Sequence, residues 1–150
     1  MISSYFQGLI ILLISIMMTI FLIIFYKLLK CYCYPHVPDP LLIQFHGSID
    51  GWTFSHLLYF TYLGFLFPTY IYELVLLGIF WELFEEGFGL LGILYPNNQL
   101  MKDCLEDYYH PGRWWYGKKE DLLANMIGLV IGLCLREFQS ENFNQRISKL

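Results

Sequence analysis

Apolar residues are concentrated in four blocks along the chain, and polar segments separate these blocks. A helix of about 20 apolar residues is long enough to cross the hydrocarbon core of a bilayer, and the first block supplies such a helix. The second and third blocks are shorter and meet at Pro68, and the fourth precedes a polar tail. We therefore predict four membrane-spanning helices, at residues 5–28, 51–67, 69–88 and 121–136.

The boundary at Pro68 allows two arrangements, because proline interrupts the hydrogen bonding of a helix. Residues 51–88 form either a helical hairpin with a minimal loop or one long helix kinked at Pro68. A single helix of that length would extend about 57 Å, whereas the hydrocarbon core is about 30 Å thick. We favour the hairpin, and the fold class that we expect is an all-α membrane protein with a four-helix bundle.

Two polar linkers connect the predicted spans, at residues 31–50 and 95–120. The first contains three prolines between residues 35 and 40, which exclude a regular helix there. The second is rich in tryptophan and tyrosine, and these residues are typical of the headgroup region of a membrane. We expect the second linker to lie at the membrane interface.

Basic residues are distributed unevenly between the two sides of this arrangement. Six share a side with the linkers: Lys27, Lys30, Lys102, Arg113, Lys118 and Lys119. Three lie on the other side: Arg136, Arg146 and Lys149. Because basic residues are enriched in cytoplasmic loops, we predict that the linkers are cytoplasmic and that both termini lie on the non-cytoplasmic side.

The composition agrees with one small multi-pass membrane domain covering residues 1–150. Hydrophobic residues make up 57% of the chain and aromatic residues 19%, and the mean hydropathy is +0.48. The formal net charge is -4 and basic residues form no run, which argues against a nucleic-acid partner. Membrane lipid is the expected partner, and a homo-oligomer is left open.

Three carboxylates, Glu82, Glu85 and Glu86, occur near the end of the third predicted span. A charge at the centre of a membrane helix costs about 2.5–3.5 kcal/mol on insertion scales. A shared proton, a cationic partner, a metal ion or a position near the interface would offset that cost. Glu82 and Glu86 are four residues apart and share one helix face, whereas we expect Glu85 to contact water.

The four-span arrangement brings several polar residues to one side of the membrane, because span two begins where span three ends and span four begins. These residues are Asp50, His56, Glu82, Glu86, Arg113, Lys118, Asp121 and Asn125. We predict a shared site in which Glu82, Glu86 and His56 act as catalytic acids or bases. The same three residues are candidate ligands of a divalent metal ion, which is the only cofactor we consider.

The remaining residues of the predicted site have binding or supporting roles. Arg113 and Lys118 would hold an anionic headgroup, since both carry a positive charge and several hydrogen-bond donors. Asp50, Asp121 and Asn125 would support the site. Asp121 has a second interpretation as a helix N-cap, and Asn125 has one as a polar contact between helices.

Small residues recur at every fourth position in the last predicted span, at Ala124, Gly128 and Gly132. This spacing lets the backbones of two helices approach closely, and we predict a packing face there. The polar residues of the predicted site also allow a non-enzymatic interpretation. In that case the chain is a membrane assembly or interaction protein, and the polar cluster only holds its helices together.

The order of these motifs resembles that of the VanZ-like family of small membrane proteins. The motifs are a histidine in an aromatic span (residues 55–64, with His56), a later glutamate (Glu82 or Glu86), Pro111-Gly112-Arg113, and Asp121-x-x-x-Asn125-x-x-Gly128-x-x-x-Gly132. The resemblance covers residues 46–136. It implies a multi-pass membrane fold with a polar site, and a lipid or envelope-related role, since some members are linked to glycopeptide resistance.

Overall fold

In a computed structural model, residues 2–34, 39–45, 49–94 and 117–147 are described. The regular structure of these ranges is helical, which confirms the all-α class. The α-helices are α1 (Ile2–Cys33), α2 (Gly51–Leu66), α3 (Ile71–Leu94) and α4 (Lys119–Ile147). Short 3-10 turns occupy Pro40–Leu42 and Pro68–Tyr70.

The chain divides into two compact units that do not follow sequence order. The first unit comprises Met1–Pro40 and Trp81–Gly117, and the second comprises Leu41–Phe80 and Lys118–Leu150. Helix α3 therefore contributes its first half to the second unit and its second half to the first.

Helix α1 of the first unit has large apolar side chains exposed along its whole length. At its C-terminal end, the Tyr26 hydroxyl donates to Asp39 Oδ1 at 2.6 Å, and Lys27 Nζ donates to Asp39 Oδ2 at 3.1 Å. The helix is longer than the predicted span and includes Cys33, so the first three residues of the predicted linker 31–50 are helical.

In the second unit, α2 ends at Leu66, where Phe67 N still donates to the Leu63 carbonyl at 2.8 Å. Pro68 is the first residue of the 3-10 turn that follows. The N–H of a first helical residue has no partner within the helix, so proline loses no hydrogen bond there. The bend between Gly51–Leu66 and Pro68–Gly87 is 108°, so the chain forms two helices at this point rather than one kinked helix.

Helices α3 and α4 both extend beyond the predicted boundaries. We expected α3 to end near residue 88 because glycines follow, but it continues to Leu94. We expected the tail after residue 136 to leave the helical state, but α4 continues to Ile147. Isolated glycines cost a helix only about 1 kcal/mol each, and polar residues are compatible with an exposed helix.

Only part of the predicted membrane topology is visible in the described ranges. One helix, α1, is long and apolar enough to cross a membrane by itself, over Tyr5–Lys30 with a mean hydropathy of 3.0. Helix α2 and the following segment to Gly87 pass the same test only together, as one bent pair. The described chain thus has one or two candidate spans, and an N-terminal helix such as α1 is also typical of a signal sequence.

Candidate functional site

The first residues of α2 form a capping box that organises two polar side chains. Asp50 is the N-cap, and its Oδ1 accepts from Thr53 N at 3.0 Å. In return, Asp50 N donates to Thr53 Oγ1 at 3.4 Å. This reciprocal bonding satisfies backbone donors at the helix start and holds both side chains in place.

Three polar pairs connect the N-terminal end of α2 to the N-terminal end of α4, and the first joins the residues that directly precede the two helices. Lys118 Nζ forms an ion pair with Asp50 Oδ2. Thr53 Oγ1 donates to Asp121 Oδ1 at 2.5 Å, and His56 Nδ1 lies 2.9 Å from Asn125 Oδ1. We call the six residues of these pairs the polar ladder.

The pairs show that α2 and α4 run parallel. The partners are 68, 68 and 69 residues apart in sequence, so both helices advance together from their N-terminal ends. Two adjacent helix N-termini add partial positive charge to the end of the helix pair where the ladder lies.

Beyond the ladder, the two helices contact each other through glycines. A methyl group on Gly128 would lie 2.5 Å from the Leu57 carbonyl oxygen, and one on Gly132 would overlap the Thr61 carbonyl oxygen. A methyl group on Gly64 would lie 2.7 Å from the Leu129 carbonyl oxygen. We call Gly64, Gly128 and Gly132 the glycine seam, because they allow the two backbones to touch.

Five of the six ladder residues are buried and Lys118 is half-buried, although the ladder contains charged residues. Asp50 is 1% exposed, Asp121 is 3% exposed and Asn125 is fully buried. The ladder contains two carboxyl groups and one ammonium group, and the partial positive charge of the two helix N-termini is favourable beside the carboxyl groups. Asp121 lies close enough to His56, Lys118 and Asp50 for their charges to act on it.

His56 and Asp121 are the candidate metal ligands of the second unit. A His56 ring nitrogen and an Asp121 carboxylate oxygen lie within 4.8 Å of each other. Thr53 orients Asp121 and Asn125 orients His56, which resembles the outer-shell bonding that supports metal ligands. Asp121 was not among the metal candidates predicted from the sequence, and a divalent metal stays a prediction.

The carboxylates of α3 belong to the first unit. Glu82 is buried, Glu86 is half-buried, and Glu85 is only 1% exposed. The expectation that Glu85 contacts water was therefore wrong: it shares the covered face of α3 with Glu82, since the two are three residues apart. A methyl group on Gly117 would overlap the Glu82 carbonyl oxygen, so the residue before Lys118 packs on that turn of α3.

The structure brings together five of the predicted site residues: Asp50, His56, Lys118, Asp121 and Asn125. Glu82 and Glu86 belong to the first unit and are not among the ladder pairs. Arg113 lies outside the described residues. Asp121 is in the first turn of α4 rather than at its N-cap, so its N-cap interpretation was wrong.

Sequence reasoning missed Thr53, Gly64 and Gly78. An N-cap followed three residues later by a side chain that can return the bond is a capping-box pattern, and Asp50 and Thr53 fit it. Gly78 of α3 faces the ladder: a methyl group there would lie 3.3 Å from the Phe60 ring and 3.4 Å from Asn125 Nδ2. Nothing in the local sequence distinguishes Gly78 from an exposed glycine.

No protein-family model, no curated protein and no solved structure matches this chain.

Proposed function

We propose that this chain is a VanZ-like, multi-pass integral membrane protein that binds an anionic lipid or envelope-type headgroup at the polar ladder. The observation that carries the proposal is the burial of Asp50, His56 and Asp121 between two helices that already contact each other through glycines, with Asp50 paired to the half-buried Lys118.

A buried ion pair contributes little net stability to a fold. A buried ion pair is often no more stabilising than well-packed apolar residues of the same volume, because both charges lose their hydration. The glycine seam supplies close packing without any charge. Packing alone therefore does not account for the ladder, and a binding site does.

The ladder lies at the N-terminal ends of α2 and α4, which is where a lipid headgroup at the membrane interface would meet the two helices. Asp50 precedes α2 and His56 lies about 9 Å further along it, at 1.5 Å per residue. The seam comes after the ladder on both helices and carries no charge. A membrane whose interface lies at the N-terminal ends of α2 and α4 would meet polar residues first and glycines at greater depth.

The cationic groups of the proposed site lie at the outer end of the ladder. Lys118 pairs with Asp50, and its side chain remains 12% exposed. Lys119 follows it and is exposed. A headgroup phosphate would replace the Asp50 carboxylate as the anionic partner of Lys118. Arg113, from the preceding linker, would bind the same phosphate through two N–H donors.

A second candidate function is membrane assembly without chemistry. It is favoured by one observation, that each of the three ladder pairs joins α2 to α4. In this case the ladder sets the register of the two helices and binds nothing else.

Lipid retention by the purified protein distinguishes the two functions. The protein is extracted in mild detergent with phosphatidylglycerol and phosphatidylcholine in equal amounts, and retained lipid is measured by mass spectrometry. The test variant is the double substitution Asp50→Asn with Lys118→Met, which removes both charges but retains an N-cap acceptor. Gln139→Leu, on an exposed position of α4, is the control.

We expect the wild type and the control to retain phosphatidylglycerol preferentially, and the double variant to lose this preference while keeping its helical circular dichroism. Equal retention of both lipids by the wild type would contradict headgroup binding. Loss of folding in the double variant, together with equal retention, would favour the assembly function.

A further inference from the structure

We infer that α2 and α4 cross the bilayer as one pair, with the polar ladder at one interface and Arg136 at the other. The side chains exposed between these two ends then form a surface that contacts lipid acyl chains. The inference rests on the membrane location in the proposed function, but it is independent of headgroup binding at the ladder.

The two helices stay side by side over the whole length of α2. The ladder joins their N-terminal ends, and the glycine seam follows. Near the end of α2, the Arg136 guanidinium carbon lies 5.8 Å from the centre of the Phe65 ring, within the range of a cation–π contact. Because Arg136 and Phe65 are nearly as far apart in sequence as the ladder partners, the register of the pair is kept from one end to the other.

Pairing removes from the outer surface the charges that would oppose insertion of either helix. Neither α2 nor α4 is long and apolar enough to cross a membrane by itself. The polar residues near their N-terminal ends are nonetheless buried, namely Asp50, His56, Asp121 and Asn125. Ionisable groups in membrane segments are tolerated where they face other helices and not lipid, and the pair meets that condition.

The outer surface of the pair is apolar between its two ends. On α2 the exposed residues occur at every fourth position, as Phe54, Leu58, Tyr62 and Leu66. On α4, residues 122–135 include no charged residue, and the exposed ones are Leu, Ile, Val or Cys. Contiguous apolar surface of this kind marks contact with a membrane or with another protein.

The length of this surface favours acyl chains over a second copy of the chain. From Lys118 to Arg136 a helix rises about 27 Å, at 1.5 Å per residue. The hydrocarbon core of a bilayer is about 30 Å thick, and lysine and arginine side chains extend to the interface from just inside it. A protein partner imposes no such distance between charged ends. From Arg136 to Glu141 every residue of α4 is exposed, as expected of a helix that continues into water.

Spin labels on single cysteines measure the depth of each position. The full chain is reconstituted in phosphatidylcholine vesicles and labelled at Leu58→Cys, Ile127→Cys, Gln139→Cys or the native Cys134, with alanine at the other cysteines. All four positions are exposed, so a label displaces no packed side chain. Power saturation compares the accessibility of each label to oxygen, which concentrates in hydrocarbon, and to a water-soluble nickel complex.

We expect the ratio of oxygen to nickel accessibility to be highest, and similar, at Leu58→Cys and Ile127→Cys. Ile127 lies midway between the two ends of the pair, and Leu58 lies at the same depth because it is 69 residues earlier, as His56 is from Asn125. The ratio should be lower at Cys134 and lowest at Gln139→Cys, which lies beyond the far end and is the water-exposed control.

Nickel accessibility at Leu58→Cys and Ile127→Cys as high as at Gln139→Cys would overturn the inference, because the surface would then lie in water. Exclusion of both reagents would also overturn it, since another copy of the chain would then cover the surface. If one of the two variants does not fold, the other still decides.

The depth measurement uses no anionic lipid, which separates it from the test of headgroup binding. The expected depth profile together with unselective lipid retention would contradict headgroup binding alone. Selective retention together with water-exposed labels at the middle of the pair would contradict only the bilayer crossing.

Discussion

The two ends of the α2–α4 interface differ in how they bring the same helices together. At the N-terminal end, the polar ladder joins them through side chains, with two carboxyl groups and an imidazole ring buried and the Lys118 ammonium group half-buried. At the C-terminal end, the glycine seam joins them through backbone, and a methyl group on Gly64, Gly128 or Gly132 would lie within 3.0 Å of a carbonyl oxygen.

The two contacts differ in how much desolvation they require and in which substitutions disrupt them. The seam costs little desolvation and tolerates no added atom, because interiors are close-packed and backbone cannot move aside. In the ladder, the costly change is one that leaves a buried charge without its partner. The first contact holds the helices together, and the second is the binding site that we propose.

Removing one charge of the ladder should have the largest effect on stability. In Lys118→Met, the Asp50 carboxylate stays buried without its ion-pair partner, so we expect a loss of about 3 kcal/mol, at the low end for a broken buried pair. Detergent-denaturant titration followed by circular dichroism measures it. Lys119→Met, at the adjacent exposed position, should change stability by less than about 0.5 kcal/mol.

The Asp50→Asn substitution added to Lys118→Met should recover most of this loss, since no unpaired charge is then buried and the N-cap is kept. Equal loss in Lys118→Met and Lys119→Met would mean that the ladder charge is not buried, and would remove the contrast with the seam.

Adding one methyl group to the seam should have the next largest effect. In Gly132→Ala the new atom overlaps the Thr61 carbonyl oxygen and lies 2.7 Å from Phe65 N, so the helices must separate. We expect a loss of about 1–3 kcal/mol, as for overpacked cores, in the same titration.

Gly87→Ala is the matched control for the seam, because a methyl group at Gly87 meets no atom within 4 Å. It should stabilise α3 by about 0.5–1 kcal/mol through helix propensity alone. If Gly132→Ala were as stable as Gly87→Ala, the backbone contact of the seam would be refuted.

The smallest effect is expected where a glycine faces side chains rather than backbone. A methyl group at Gly78 would lie 3.3 Å from the Phe60 ring and 3.4 Å from Asn125 Nδ2, so these two side chains would have to shift by a few tenths of an ångström. We expect Gly78→Ala to change stability by less than about 1 kcal/mol, the size of the helix-propensity gain. A loss as large as that of Gly132→Ala would show that the amide of Asn125 cannot move.

Much of the candidate site was predictable because its residues lie at helix starts. Asp50, His56, Asp121 and Asn125 were expected at similar depth, since two helices beginning on one side of a membrane place early residues side by side. The partners were not predictable, because a helical pattern shows which residues share a face but not which face meets another helix. Thr53 and Gly78 matter only through such contacts.

The predicted four spans show the same limit for the fold. Apolar blocks locate α1 to α4, but hydropathy gave the wrong end for α4 because an exposed helix needs no apolar residues. The environment of Glu85 was also wrong, since its burial depends on which side of α3 is covered.

The sequence by itself determined the helical class, the long apolar helix α1, the break at Pro68 and the small residues of α4, because these follow from composition and local backbone chemistry. The tertiary structure alone decided that α2 and α4 are parallel, that Lys118 pairs with Asp50, and that Asn125 meets His56. Those pairings join residues nearly seventy positions apart, and only packing of whole helices brings such residues within hydrogen-bond distance.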